Sequence, residues 1–148
     1  MTAQTKPSES IIVLSVIDPD ANTAATYTGD WADTSLCHKF MATFLVGTMA
    51  STSTLEASIF QATDSSGTGA KAVANCAAVQ LTEAGTDSDK QVIINCSVAD
   101  LDIAGGFTFI APRMVIATAA SDSGAVLYGV TPYYATITDL PSVDEIVN

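Results

Sequence analysis

The sequence predicts an all-β chain: an antiparallel β-sandwich or jelly-roll-like barrel of about eight strands. Three observations point there. Several segments alternate apolar and polar residues at period two, the repeat of a strand with one buried face. Short clusters of Gly, Pro, Asn, Asp and Ser separate them, as in sandwiches and barrels. Charged residues make up only 14% of the 148 positions, against about 25% in an average domain. The polar surface therefore falls largely to Ser, Thr, Asn and Gln, and Thr suits a pleated strand through its branched Cβ.

Taken in order, residues 1–9 are polar, contain Pro7 and read as a flexible arm. Residues 10–17 are a buried strand by their continuous Ile, Val and Leu content. Residues 18–30 read as a loop built on Pro19, Asn22 and Gly29. In residues 38–46, Phe40, Ala42, Phe44 and Val46 share one face, opposite Lys39 and Thr43. After a turn at 47–53, residues 54–62 set Leu55, Ala57 and Ile59 against Thr54, Glu56 and Ser58. Asp64 to Gly69 is a turn whose glycines supply positive φ. Residues 72–81 permit a helix through their alanines, but Val73, Asn75, Ala77 and Val79 at period two favour a strand. An acidic loop at 83–89 precedes a further alternation, with Val92, Ile94, Cys96 and Val98 on one face. Residues 100–106 turn the chain into two long strands, 107–119 and 125–138, joined by a turn at Ser121 to Gly124. Pro112 demotes the middle of its strand to an edge or a bulge. Residues 139–148 form an acidic tail containing Pro141. The division is an arm (1–9), one β domain (10–138) and a tail (139–148).

Net charge is −11, and the five basic residues Lys6, Lys39, Lys71, Lys90 and Arg113 are scattered. Gripping a phosphate backbone takes clustered Lys and Arg, so nucleic acid is not an expected partner. The apolar run at 11–17 is too short to span a bilayer and lacks the flanks of an export signal, so no membrane association is expected. Cys37, Cys76 and Cys96 are odd in number and show no C-x-x-C spacing, which favours small buried hydrophobes over a disulfide framework or metal site. Trp31 precedes all three, unlike the immunoglobulin arrangement of Trp between bridged cysteines.

Candidate chemistry fails on its own requirements. Asp18-Pro19-Asp20-Ala21-Asn22 opens like a calcium loop, but Thr23 stands where that loop needs Gly and Gly29 where it needs a bidentate Glu. Asp87/Asp89 and Asp100/Asp102 are acidic pairs of a kind common in loops. Gly67-Thr68-Gly69-Ala70-Lys71 lacks the Gly-Lys-Ser/Thr order of a phosphate loop. His38 follows Cys37 directly, and strand neighbours point to opposite faces, so the two do not form a dyad. Sixteen acidic residues allow many glycosidase-like carboxylate pairs, as in any acidic protein, so that count selects nothing. No catalytic, cofactor or metal residue is assigned. Trp31 and the Tyr133-Tyr134 pair are candidate anchors for a partner or a sugar; otherwise Trp31 plugs one end of the sandwich.

Several stretches carry a family likeness. They are Trp31-Ala32-Asp33, Phe40 to Gly47, Ile59 to Lys71 with its Gln-Ala-Thr-Asp-Ser-Ser-Gly-Thr-Gly-Ala-Lys hairpin, Leu81-Thr82, Asp89-Lys90-Gln91, Asp100-Leu101-Asp102, Gly105-Gly106-Phe107, Tyr128-Gly129 and Pro132-Tyr133. Together they resemble small tailed-phage virion proteins encoded beside the major capsid protein. The resemblance implies a capsid decoration or cement protein on the outer surface of the phage head. Its partners would be the major capsid protein and other copies of itself, and it would have no enzymatic activity. The arm with Pro7 and the tail with Pro141 would strap it to neighbouring subunits. The alternatives are a neck or tail structural protein, or a carbohydrate-binding β-sandwich using Trp31, Tyr133 and Tyr134.

Overall fold

The computed structural model describes residues 6–132 and 141–147. Among the described residues ten strands carry the fold: β1 (Ile11–Asn22), β2 (Ala25–Thr28), β3 (Ala32–Asp33), β4 (Cys37–Met49), β5 (Thr54–Ala62), β6 (Lys71–Ala77), β7 (Leu81–Thr82), β8 (Gln91–Ser97), β9 (Phe109–Ala117) and β10 (Ser121–Pro132). They form two antiparallel sheets. One is ordered β1-β10-β4-β8; the other is ordered β2-β9-β5-β6, with β3 added on β9 and β7 on β5. No helix among the described residues is long and apolar enough to cross a membrane.

The pairing has a simple generating rule. β1 pairs β10, β2 pairs β9, β4 pairs β8 and β5 pairs β6, so the chain is one long hairpin whose tip is residues 63–70. Rolling that hairpin brings β10 onto β4 and β9 onto β5, which splits it into two facing sheets. This is a jelly roll. Its eight principal strands match the expected number, and β3 and β7 are two-residue additions.

The inner faces follow the alternation. Phe40, Ala42, Phe44 and Val46 of β4 are buried, as are Leu55, Ala57 and Ile59 of β5. Ile110, Met114, Ile116 and Leu127 close the core from β9 and β10. Cys37 is buried while His38 beside it is exposed, as period two requires.

Five local expectations are corrected. Residues 18–30 are not a plain loop: β1 runs on to Asn22 and β2 follows. The register against β10 slips between Ile17 and Asp20, and a bulge on an edge strand accommodates Pro19. Residues 121–124 begin β10, with Ser121 and Ser123 buried. The turn lies just before, at Thr118, with φ 72°. The segment after the hairpin is a strand, as favoured, but its alternation breaks at Asn75, which has φ 62°. Val73 and Cys76 are buried three residues apart, and Val79 is 90% exposed. Pro112 lies in a strand flanked on both sides, yet its carbonyl accepts from the Gly29 N–H in the gap between β2 and β3. A residue's N–H and C=O point the same way in a strand, so the missing donor faces that gap. Finally, part of the arm is folded: Pro7–Ser10 forms one helical turn (α1), and Glu9 accepts a hydrogen bond from the Lys6 N–H at 2.8 Å.

Candidate interaction surfaces

The two sheets differ on their outer faces. On the second sheet, cross-strand partners place Thr28, Arg113 and Ser58 in one row and Thr26, Val115 and Glu56 in the next. Arg113 lies over the Phe60 ring, 4.2 Å from its centroid. This is the mixed polar face expected of an antiparallel sheet with one side in water.

The first sheet is different. The register aligns Ile11, Val130, Lys39 and Ser97 in one row. Val13, Tyr128, Met41 and Asn95 form the second, Val16, Val126, Thr43 and Ile93 the third, and Gly124, Leu45 and Gln91 the fourth. Ile93 is 62% and Leu45 52% exposed, although each lies in the middle of a strand. In these rows Lys39 is the single charged side chain. Three shallow depressions lie on this face. One, of about 510 Å³, is lined by Lys39, Met41, Asn95 and Asp100. A second runs between Leu45, Asp20 and Asp122, and a third lies at Ile11, Val13 and Tyr128. Scattered exposed apolar residues are ordinary, but a contiguous apolar sheet face marks an interaction site.

The terminal segments meet at the margin of this face. Pro7 and Ser8 line the third depression together with Val143 and Ile146 of the tail. Pro141 is exposed in the turn that leads into that tail. Of the expected partner-binding residues, Pro7 therefore borders the apolar face and Pro141 lies nearby in sequence. Tyr133 and Tyr134 lie outside the described residues.

Trp31 belongs to a separate corner, where stretches distant in sequence converge. The turn at 64–69 folds over its indole: Gly67 has φ 81°, and a Cβ there would collide with the Trp31 ring nitrogen. Asp64 Oδ1 accepts from the N–H groups of Ser66 and Thr68, and these contacts with the Thr68 hydroxyl hold its carboxyl below the usual range. Lys71 pairs with Asp102 at 2.6 Å and lies 3.9 Å from the Phe107 ring centroid. The Asp102 N–H donates to Gln61 Oε1, and Asp102 Oδ1 accepts from the Gly105 N–H. Lys71 and then Gly105 lower the Asp102 carboxyl. Trp31 is half-buried here, a plug at one corner of the sandwich.

The acidic loop residues serve as local braces. Asp87 accepts from the Thr82 N–H, and Asp100 accepts from both the N–H and the hydroxyl of Ser97. One set of metal-capable atoms converges among the described residues: the thiols of Cys76 and Cys96 and an Asp100 carboxylate oxygen lie within 4.8 Å of one another. Burial raises both thiols, Cys96 strongly. They are therefore protonated at neutral pH and pack between the sheets as small apolar groups. Sequence reasoning did not single out the apolar outer face. Its signal is the apolar run at 11–17, expected only to be a buried strand, and Val126, Tyr128 and Val130 in the last of the long strands.

Comparison with family models, with curated proteins and with solved structures finds no match to this chain.

Proposed function

We propose that this chain is a structural protein of a tailed-phage particle, a decoration or cement protein that lies on the outside of the head and braces junctions between capsid subunits. The observation that carries this reading is the apolar outer face of the β1-β10-β4-β8 sheet on a domain whose net charge is −11. A small acidic domain keeps such a face for contact with protein. The likeness to proteins encoded beside the major capsid protein supplies the context, and jelly rolls are among the architectures of capsid domains. Fold alone does not carry function; the face and the likeness together support the reading.

On this reading the protein acts by mass action. It binds the assembled shell and not its separated subunits, so each bound copy stabilises the shell, and many symmetric copies make individually modest contacts count. Acidity keeps the surface away from packaged DNA. Peptide mass spectrometry of purified particles, scaled to the major capsid protein, tests this directly. Copies comparable to the capsid protein support a shell component. A handful per particle would move the protein to the neck or tail, and absence would remove the virion reading.

A further inference from the structure

We infer that the apolar outer face of the four-stranded sheet binds a second copy of this chain, in a two-fold dimer with the strands of the two copies running in opposite directions. This rests on reading the face as an assembly surface, and it needs no phage particle.

Charge and area both favour a second copy. The centre of the face is the Thr43–Val126 pair, flanked by Val16 and Ile93. Lys39 and Asp122 stand four residues to either side of that pair along β4 and β10. Both are exposed, and both are in phase with the outer side chains: Lys39 lines a depression with Met41, and Asp122 lines one with Leu45. The face therefore carries Lys39 with Asp100 at one end, is apolar in the middle, and carries Asp20 and Asp122 at the other. A two-fold axis lying in the face and crossing the strands at the Thr43–Val126 row sets Lys39 of each copy over Asp122 of the other. An axis along the strands would set Asp122 against Asp122. Asp100, which lies beside Lys39 and accepts two hydrogen bonds from Ser97, follows β8, two strands from β10, so the rotation does not set it over Asp122. An interface formed by the same patch on both subunits must be complementary to itself, and this one is.

Size is sufficient. Four strands at about 4.8 Å spacing and eight rises from Asp122 to Val130 make a patch of roughly 19 Å by 27 Å. That is about 500 Å² in projection, so two copies reach about 1,000 Å² in total, the lower bound for a specific interface and the size of a weak, reversible one.

Sedimentation equilibrium of the full chain tests the inference. Wild type is expected to be a dimer whose melting temperature falls on dilution, and Ile93→Lys a monomer with unchanged circular dichroism and a concentration-independent melting temperature. Lys39→Glu and Asp122→Lys should each weaken dimerisation roughly 2- to 30-fold, the range for losing two exposed ion pairs. Combining them should restore an affinity near wild type. A monomeric wild type, or a dimer that Ile93→Lys leaves intact, would overturn the inference. Failure of the double variant to recover would overturn the opposed arrangement. A monomeric wild type that still loads onto phage heads through Ile93 would overturn the second copy as occupant and leave the proposed function standing.

Discussion

Gly67 lies against the indole of Trp31, with φ 81° and no room for a Cβ. Two residues far apart in sequence are thereby fixed to each other by the absence of a side chain. The hairpin tip of the rolled chain is seated on the ring, so the corner closes only with glycine there.

Gly67→Ala should therefore lose stability by more than backbone strain alone. A left-handed non-glycine residue costs roughly 1–3 kcal/mol, and the collision adds to that. Gly106→Ala is the control, because Gly106 has φ 83° but nothing within 4 Å of its missing Cβ. Urea titration should rank Gly67→Ala as the more destabilised, and Trp31 fluorescence should shift to the red in that variant. Equal losses with unchanged fluorescence would show that the ring does not set the constraint.

The same corner gives a pH dependence. Thr68 holds the Asp64 carboxyl low, and Lys71 does so for Asp102. A depressed folded pKa contributes stability above the unfolded value, about 3.9 for Asp. That contribution is lost as pH falls through the folded value. Carboxyl-carbon NMR titration should find both midpoints below that reference. Lys71→Met should raise Asp102 and leave Asp64 in place; movement of both would show that the two braces are coupled.

Phe44 is fully buried in the middle of β4, and Phe44→Ala should cost roughly 3–5 kcal/mol. In the Ile93→Lys background, where no second copy covers the face, Thr43→Ala, its neighbour on the outer face, should stay within about 0.5 kcal/mol. Urea denaturation measures both, and a comparable loss at Thr43 would contradict the inside–outside assignment of this strand.

Cys37, Cys76 and Cys96 are buried, and burial raises all three thiols. A disulfide reagent at neutral pH should find them unreactive in the native protein and all three accessible in denaturant. A native thiol that reacts at once would contradict this packing.

Much of the fold was legible because it rests on local period. The alternation at 54–62 coincides with β5, and the buried face of β4 was identified residue by residue. The failures have identifiable physical causes. Asp18-Pro19-Asp20 carries turn chemistry, but an edge strand accommodates it as a bulge inside β1. The true turn before β10 sits on Thr118, a β-branched residue in a left-handed conformation that composition does not announce. Ser121 and Ser123 looked like turn residues but are buried, with the Ser123 hydroxyl donating to the Ser121 carbonyl at 3.2 Å. The interaction surface was less legible still. Period two labels one face of a strand, whereas the apolar outer face is a property of four strands in register. Val16, Val126 and Ile93 become neighbours only through the β1–β10, β10–β4 and β4–β8 pairings.

The decisive measurement is the copy number of this protein in particles assembled with Ile93→Lys in place of wild type, by peptide mass spectrometry against the major capsid protein. The expected result is a wild-type complement comparable to the capsid protein and near-complete loss with Ile93→Lys, while the isolated variant keeps the wild-type fold. A full complement of Ile93→Lys on the particle would contradict the assignment of the apolar sheet face as the surface through which this protein assembles.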